Sequence, residues 1–256
     1  MNLILLVPAD FEADGTVRLA GRRARHVHEV HRAAAGDRLV VGRLNGLVGT
    51  GTVLSATPDE VRMEVVLHDA PPPSAGLDLL LAMPRPKVLR RVLQSAASLG
   101  ARRIVLLAAQ RVEKSYFDTP FLEPEEIERN LVLGLEQARD TALPEVLVRR
   151  RFRPFVEDEL DGLWPRGSCD RLLAHPSAPE GLPGGAAGCE AVLAIGPEGG
   201  WVPFETGLLE AHGFRPYGLG PRILRVETAV PFAFGQVLLA RGRSYNAAFG
   251  NSDRRG

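Results

Sequence analysis

Two glycine-rich segments near the end of the chain carry residue types that could bind a small planar ligand. Residues 196–200 read Gly-Pro-Glu-Gly-Gly after an apolar run, and residues 218–220 read Gly-Leu-Gly shortly before two arginines. Glycine leaves backbone N–H and C=O groups accessible, and proline fixes the backbone that presents them. With leucine and isoleucine side chains beside them, these segments suit an uncharged ring such as adenine. They suit a triphosphate less well, because no lysine is nearby.

The spacing of the glycines excludes the common nucleotide-binding loops. A P-loop requires a lysine directly after its last glycine, and the chain's two lysines, Lys87 and Lys114, stand elsewhere. A Rossmann fingerprint requires a small residue where Ile223 stands, and it belongs near the first strand of its domain. The sequence therefore does not predict a phosphate cradle.

Metal chemistry is not predicted either. The segment His-Glu-Val-His at 28–31 is one residue too short for the His-Glu-x-x-His zinc motif. The two cysteines, Cys169 and Cys189, are too few and too widely spaced for a zinc site or a disulfide framework. We therefore expect two free thiols and no metal site.

The elements that must position the glycine segments follow a stiff connector at residues 70–76, Ala-Pro-Pro-Pro-Ser-Ala-Gly. Before this connector, turn residues separate three β-like runs, at 37–42, 46–56 and 60–70. Such a pattern predicts a small all-β barrel or sandwich. The predicted division of the chain is a first domain at 1–70, a linker at 71–76, a second domain at 77–245 and a frayed tail at 246–256.

The second predicted domain alternates strands with helices. Apolar runs predict strands at 77–83, 102–110, 170–175, 190–195 and 214–220. Helical periodicity predicts helices at 86–100, at 123–139 and at 228–241, the last with Thr228 as its N-cap. This alternation is typical of an α/β fold whose parallel sheet is covered on both faces. Ligands of such sheets bind beyond the carboxyl ends of the strands, so the loops after the last three strands are expected to form the site.

The composition is that of a globular protein. Of 256 residues, 45% are hydrophobic and 24% are charged, and 31 basic residues balance 31 acidic ones. No run of 18 apolar residues predicts a transmembrane helix, and the first residues lack the basic region of a signal peptide. We therefore expect a cytoplasmic protein with no membrane partner.

Both glycine segments extend into motifs that closely resemble the RsmE family. "IGPEGGW" at 195–201 is followed by "LGPRILRVETA" at 219–229, and weaker similarity is found at 26–41, 110–117 and 136–145. That family consists of SPOUT-class enzymes that methylate N3 of a uridine in 16S ribosomal RNA. The resemblance implies a PUA-like β-barrel followed by an α/β domain with a deep C-terminal trefoil knot. It also implies S-adenosyl-L-methionine as methyl donor, a homodimer, and 16S rRNA or the assembled small ribosomal subunit as substrate.

The resemblance further implies which residues carry the function. The residues expected to line the methyl-donor pocket are Leu173, His175, Ile195, Gly196, Gly199, Gly200, Leu219, Gly220, Ile223, Leu224, Thr228 and Ala229. Arg225 is expected to stabilise negative charge on the uracil ring, with Glu198 and Glu227 as further catalytic candidates. Alternatively, Glu198 braces the glycine turn by accepting its N–H groups, and Arg225 pairs with Glu227 or caps the last helix.

Arginines that could contact the RNA backbone are spread along the chain. The candidates are Arg22, Arg23, Arg25, Arg32, Arg90, Arg91, Arg111 and Arg222. Each could equally be a solvated surface residue. Two other functions stay open at this point: a non-catalytic RNA-binding or ribosome-assembly protein, and a SPOUT methyltransferase that acts on another RNA base.

Overall fold

The computed structural model describes residues 3–183 and 190–241, so Cys189 and the predicted tail at 246–256 lie outside the described residues. The chain divides into two compact units. The first comprises Met1–Pro72 and Val132–Leu143, and the second comprises Pro73–Leu131 and Pro144–Gly256. Residues 132–143, which the sequence division assigned to the second domain, thus belong to the first unit. The predicted domain boundaries themselves stay a prediction.

The first unit contains one five-stranded sheet. Its strands are β1 (Ile4–Leu6), β2 (Thr16–Ala20), β3 (Arg38–Arg43), β4 (Val48–Ala56) and β5 (Glu60–Asp69). Their order is β1-β3-β4-β5-β2, and β1 pairs parallel with β3 whereas the other pairs are antiparallel. The three strands predicted before the connector are confirmed. Alternate residues such as Leu39, Val41, Val61 and Met63 are buried, as a half-buried strand requires.

The first unit also has a helical segment that the all-β prediction missed. Helix α1 (Gly21–His26) continues into a π-helical turn at Val27–His31, and the segment ends at Arg32 with φ 50°. Ala24 and Val27, three residues apart, are both fully buried among the apolar side chains of the sheet. In the sequence, Ala24 and Val27 stand among arginines and histidines, so their helical spacing gives only a weak signal.

The second unit is built on a six-stranded parallel sheet. Its strands are β6 (Leu77–Ala82), β7 (Ala101–Leu107), β8 (Glu145–Arg149), β9 (Cys169–Ala174), β10 (Glu190–Ile195) and β11 (Arg215–Tyr217). The order is β11-β9-β10-β6-β7-β8, and every pairing is parallel. All six residues of β6 are buried, and all but Asp78 are apolar, as expected for a strand covered on both faces. The predicted α/β fold with a parallel sheet is therefore confirmed.

Helices connect these strands. They are α2 (Pro86–Ser98), α3 (Pro124–Ala138), α4 (Phe152–Pro154), α5 (Leu160–Leu163), α6 (Pro203–Ala211) and α7 (Val226–Ala240). Three of them, α2, α3 and α7, lie within about two residues of the predicted bounds. A π-helical turn, Phe155–Glu159, joins α4 to α5. In α2, Leu89, Val92, Leu93 and Ala96 are buried on one face, as the periodicity predicted. Strand β8 and helices α4, α5 and α6 were not predicted.

The predicted start of the last helix was wrong. Arg225, with φ −68° and ψ 154°, occupies the N-cap position of α7, so Thr228 is the third helical residue and not the cap. The carbonyl oxygen of Arg225 accepts the N–H groups of Thr228 and Ala229 at 2.9 and 2.8 Å, which closes the first turn two residues earlier than expected.

A buried polar network lies at the amino ends of the central strands. Asp78, near the start of β6, is completely buried and accepts a hydrogen bond from Nε1 of Trp164 at 2.6 Å. Arg102, at the start of β7, donates to both oxygens of Asp78 at 3.1 Å. Arg171 of β9 is 4% exposed and donates to the carbonyl oxygens of Trp164 and His212. These bonds satisfy the buried charges, which would otherwise be costly.

Candidate functional site

A cavity of about 250 Å³ opens at the carboxyl ends of β9, β10 and β11. These three strands are neighbours in the sheet, so the loops that follow them meet at one edge, as the strand-end argument predicted. The cavity residues are Ala174, His175, Pro176, Ile195, Gly196, Pro197, Glu198, Gly199, Gly200, Trp201, Leu219, Gly220, Arg222, Ile223, Leu224, Val226 and Ala229. Both glycine segments therefore contribute to one site.

Most of the residues expected in the methyl-donor pocket line this cavity. Those that do are His175, Ile195, Gly196, Gly199, Gly200, Leu219, Gly220, Ile223, Leu224 and Ala229. Leu173 is instead buried inside β9, and Thr228 is exposed on α7. Trp201 and Val226 line the cavity but were not predicted to do so. Trp201 directly follows the motif residue Gly200, and Val226 directly follows the catalytic candidate Arg225. The assignment of these residues to a ligand stays a prediction.

One wall of the cavity, the loop 219–224, presents backbone groups that the protein itself does not use. Among the described residues, no backbone hydrogen bond joins this loop to any other segment. Gly220 has φ +115°, and a Cβ built on it would meet no atom within 4 Å. The loop therefore offers free N–H and C=O groups and open space at the same place, which is what a bound ring requires.

The facing wall is the segment 196–202, called here the glycine loop. Gly196 packs tightly, because a Cβ there would lie 3.1 Å from Cδ1 of Trp201, closer than ordinary van der Waals contact. Trp201 is 4% exposed and packs in the apolar core of the second unit. The Gly200 N–H donates to the Pro197 carbonyl oxygen at 2.8 Å, which forms the tight turn. Gly200 has φ +73°, a conformation that favours glycine.

Two carboxylates hold the glycine loop in place: Glu198, which is part of the loop and lines the cavity, and Glu205, which does not line it. Oε1 of Glu198 accepts the backbone N–H of Arg85 at 3.0 Å, so it braces the loop against the residue before α2. The expectation that Glu198 would accept the loop's own N–H groups is therefore wrong about the partner. The second carboxylate, Glu205, is 2% exposed and accepts the N–H groups of Gln110 at 2.7 Å and Val202 at 3.0 Å.

Sequence reasoning did not single out Glu205, although a local signal was available. Pro203 and Glu205 stand at the first and third positions of α6, where proline and a carboxylate are favoured. The bond to Val202 follows from this helix-start pattern. The bond to Gln110, which is 95 residues away, does not, because it depends on how the strands are ordered.

Arg225 is an exposed side chain between two cavity residues, Leu224 and Val226. Its guanidinium has no hydrogen bond or ion pair with any described residue, so the expected alternative of pairing with Glu227 is not formed. Oε1 of Glu227 lies 3.9 Å from Nη1 of Arg91 instead. Arg225 is therefore a free cation beside the cavity mouth.

The candidate RNA-binding arginines of the first unit divide into engaged and free side chains. Arg23 donates to both oxygens of Asp10 and to the Leu5 carbonyl, so it belongs to the framework of this unit. Nη2 of Arg22 lies 3.9 Å from Glu136. Arg25 and Arg32 are exposed and have no ion pair with any described residue.

The candidates of the second unit divide in the same way. Arg90 is half-buried and lies over the ring of Phe121, with its Cζ 5.3 Å from the ring centroid. Arg111 donates to the carbonyl oxygen of Gly199 in the glycine loop. Arg91 and Arg222 are exposed, and Arg222 also lines the cavity. Arg222 is thus the candidate nearest to a ligand in the cavity.

Two further observations concern absent features. In residues 3–183 and 190–241, no helix is long and apolar enough to cross a membrane. Within the same residues, no group of three or more His, Cys, Asp or Glu side chains could hold a metal ion.

Comparison with known proteins identifies the class and then the family. A sequence profile of the RNA methyltransferase domain matches residues 71–238, which places the chain among the α/β RNA methyltransferase domains. The chain is 31% identical over 244 residues to the ribosomal RNA small subunit methyltransferase E of Treponema pallidum, covering 93% of this chain and 91% of the relative. It is 27% identical over 248 residues to that of Synechocystis sp., covering 91% and 76%. The chain therefore belongs to the ribosomal RNA small subunit methyltransferase E family, the RsmE family that its motifs resemble.

A solved structure agrees with the fold. The ribosomal RNA small subunit methyltransferase E from Neisseria gonorrhoeae, crystallised with bound S-adenosyl methionine, superposes with a TM-score of 0.74 at 20% identity. The alignment covers 94% of this chain and 98% of the other.

Proposed function

We propose that this protein transfers a methyl group from S-adenosylmethionine to N3 of a uridine in 16S ribosomal RNA. The observation that carries the proposal is the cavity at the carboxyl edge of the sheet, which residues of both family motifs line. Family membership supports the reaction class, and relatives of this chain are named as small-subunit rRNA methyltransferases. The alternative of a non-catalytic RNA-binding protein is less favoured, because such a protein has no use for a ligand cavity between both motifs.

The residues present fit the proposed methyl donor. Ile195, Leu219 and Leu224 supply apolar walls, and the loop 219–224 supplies unused backbone groups for the edge of an adenine ring. The space beside Gly220 is open because glycine has no side chain to fill it. These residues would hold the donor, which when bound supplies an electrophilic methyl group on a positively charged sulfur.

The chain's own residues then have two tasks. The first is alignment of the uracil N3 with the donor, since holding two reactants in line can lower a barrier by roughly 7–11 kcal/mol. The second is stabilisation of the ring when N3 loses its proton and negative charge develops on the ring oxygens. Arg225, free and exposed beside the cavity, is proposed for this second task. Glu198 is occupied by the Arg85 N–H, so we propose a bracing role for it.

The finer architecture is part of the proposal. We propose that the first unit is a PUA-like barrel that binds RNA and that the second unit contains the trefoil knot of its family. We also propose a homodimer. Large apolar side chains of the second unit support it, since Ile223 is 88% exposed, Leu239 83% and Phe232 46%. Sedimentation equilibrium should report twice the 27.7 kDa chain mass, and a monomer would contradict this part. A cytoplasmic location is proposed because ribosomal RNA is the substrate.

The decisive experiment maps the modified nucleotide. The purified protein is incubated with a labelled methyl donor and either assembled small subunits or naked 16S rRNA, and the label is located by reverse-transcription arrest and nucleoside mass spectrometry. We expect 3-methyluridine at one position. Label on another base would redirect the proposal to a different RNA target, and cavity binding without methyl transfer to either RNA would favour the non-catalytic alternative.

A further inference from the structure

The loop that follows β7 holds the glycine loop at two points. Arg111 donates from Nη1 to the carbonyl oxygen of Gly199, and the neighbouring Gln110 donates its backbone N–H to Oε1 of Glu205 at 2.7 Å. The other oxygen of Glu205 accepts the N–H of Val202 at 3.0 Å. The described residues that line the cavity do not include Gln110, Arg111 or Glu205. The contacts therefore act on the far side of the cavity wall.

Both contacts are closely packed. A Cβ at Gly199 would lie 3.2 Å from Cδ and 3.3 Å from Cβ of Arg111, so the arginine stem lies directly against the glycine. Glu205 is 2% exposed, and its two accepted bonds satisfy a carboxylate that water does not reach. The glycine loop is thus supported at its middle by Arg111 and at its end by Glu205.

We infer that Gln110, Arg111 and Glu205 form a clamp that positions the glycine loop for methyl-donor binding, and that Arg111 is a positioning residue and not an RNA contact. The inference rests on the proposed function. It departs from the sequence-based expectation for Arg111, because the guanidinium is directed to a carbonyl of its own protein. A loop of glycines has many alternative conformations, so external bonds are needed to keep one of them.

The two roles of Arg111 require different chemistry, which makes them separable. A phosphate contact depends on the positive charge. A positioning contact depends on the stem packed against Gly199 and on an N–H donor for its carbonyl. Glutamine keeps the stem as far as Cδ and supplies an uncharged N–H donor at the place of Nε. We therefore compare Arg111→Ala with Arg111→Gln. Arg91→Gln serves as the matched control, because Arg91 is an exposed arginine of the same unit that does not line the cavity and whose described ion pair, with Glu227, is long at 3.9 Å.

Two affinities are measured for each full-length variant: that for S-adenosylhomocysteine, by isothermal titration calorimetry, and that for a 16S rRNA fragment across a salt series. We expect Arg111→Ala to lower the affinity for S-adenosylhomocysteine about tenfold. The affinity of Arg111→Gln should stay within about threefold of that of the parent. Neither variant should change the slope of log affinity against log salt, whereas Arg91→Gln should reduce this slope by about one if that side chain contacts a phosphate. In turnover, Arg111→Ala should raise KM for the donor at nearly unchanged kcat.

A second variant covers the other half of the clamp. Glu205→Gln keeps the shape but retains only one acceptor oxygen for two N–H groups, so it should also weaken S-adenosylhomocysteine about tenfold. Hydrogen exchange without ligand should become faster at residues 199–202 in Arg111→Ala. If both clamp variants bind S-adenosylhomocysteine like the parent, the clamp is overturned while the proposed function stands. If the parent chain itself does not bind S-adenosylhomocysteine, the proposed function fails, and the clamp fails with it.

Discussion

Substitution of Gly220 should affect ligand binding in two ways that can be distinguished: by filling space in the cavity and by straining the backbone of the loop. Gly220 lines the cavity, has φ +115°, and would place a Cβ where no atom lies within 4 Å. An alanine there fits without a clash but adopts a backbone conformation that costs an L-residue about 1–2 kcal/mol. A valine adds two more carbon atoms. If each of the three side-chain carbon atoms of valine takes about the 30 Å³ of a water molecule, the side chain occupies roughly 90 Å³. That is about a third of a cavity of about 250 Å³.

Gly15 of the first unit provides the control for backbone strain. It has φ +83°, and its Cβ would also meet no atom within 4 Å, but it lies outside the cavity. Gly15→Ala and Gly220→Ala should therefore lower the melting temperature by similar amounts, roughly 2–8 °C. Only the Gly220 variants should lose affinity for S-adenosylhomocysteine, about tenfold for alanine and about a hundredfold for valine, as expected when extra atoms enter an occupied space.

The assays are differential scanning fluorimetry for stability and calorimetric titration for affinity. A Gly220→Val protein that is folded and binds S-adenosylhomocysteine within threefold of the parent would show that the donor does not occupy this cavity. Equal loss of affinity in Gly15→Ala and Gly220→Ala would attribute the effect to strain and would refute the argument from space.

Three further predictions concern catalysis, RNA and pH. Arg225→Ala should bind S-adenosylhomocysteine normally and lose about 10²–10³-fold in kcat, and near-normal single-turnover rates would remove Arg225 from the mechanism. Arg222→Ala should weaken RNA binding and reduce the salt slope by about one, and an unchanged slope would contradict a phosphate contact. Burial raises the pKa of the Glu136 carboxyl above its ordinary value of 4.5, so its ionised form opposes folding. Glu136→Gln should therefore melt higher than the parent at pH 7, and this difference should vanish as the pH falls below about 4. A constant difference across melts from pH 4 to 8 would refute it.

The sequence predicted well those features that are encoded over a few neighbouring residues. Strand β6 is apolar except for Asp78, and α2 repeats apolar residues every three or four positions, so each carries its own signal. The cavity could also be predicted, because parallel strands bring their following loops to one edge. The residue types alone predicted only an uncharged ring as ligand. The family resemblance then predicted its identity, S-adenosyl-L-methionine.

Most of the features that were missed depend on partners distant in sequence, and one depends on a local backbone bond. Arg23 was a plausible RNA contact from sequence, but in the structure its guanidinium donates to Asp10 and to the Leu5 carbonyl. Glu205 and Gln110 are 95 residues apart, and no periodicity links them. Thr228 has the side chain of a good N-cap, yet the helix begins earlier because Arg225 provides the extended residue and the first carbonyl acceptor. In each case a tertiary contact or a backbone bond overrode a residue preference.

The two edges of the parallel sheet are organised in opposite ways, and this explains how the site can remain open. At the amino edge, Asp78 accepts from Trp164 and Arg102, and Arg171 donates to two carbonyls and lies 2.7 Å from Asp161. At the carboxyl edge, the loop 219–224 leaves its backbone groups without partners among the described residues. The loop residues are exposed or half-buried, so water satisfies these groups until a ligand replaces it. The strand ends can therefore present free N–H and C=O groups to a ligand because the strand starts are fixed by the network around Asp78.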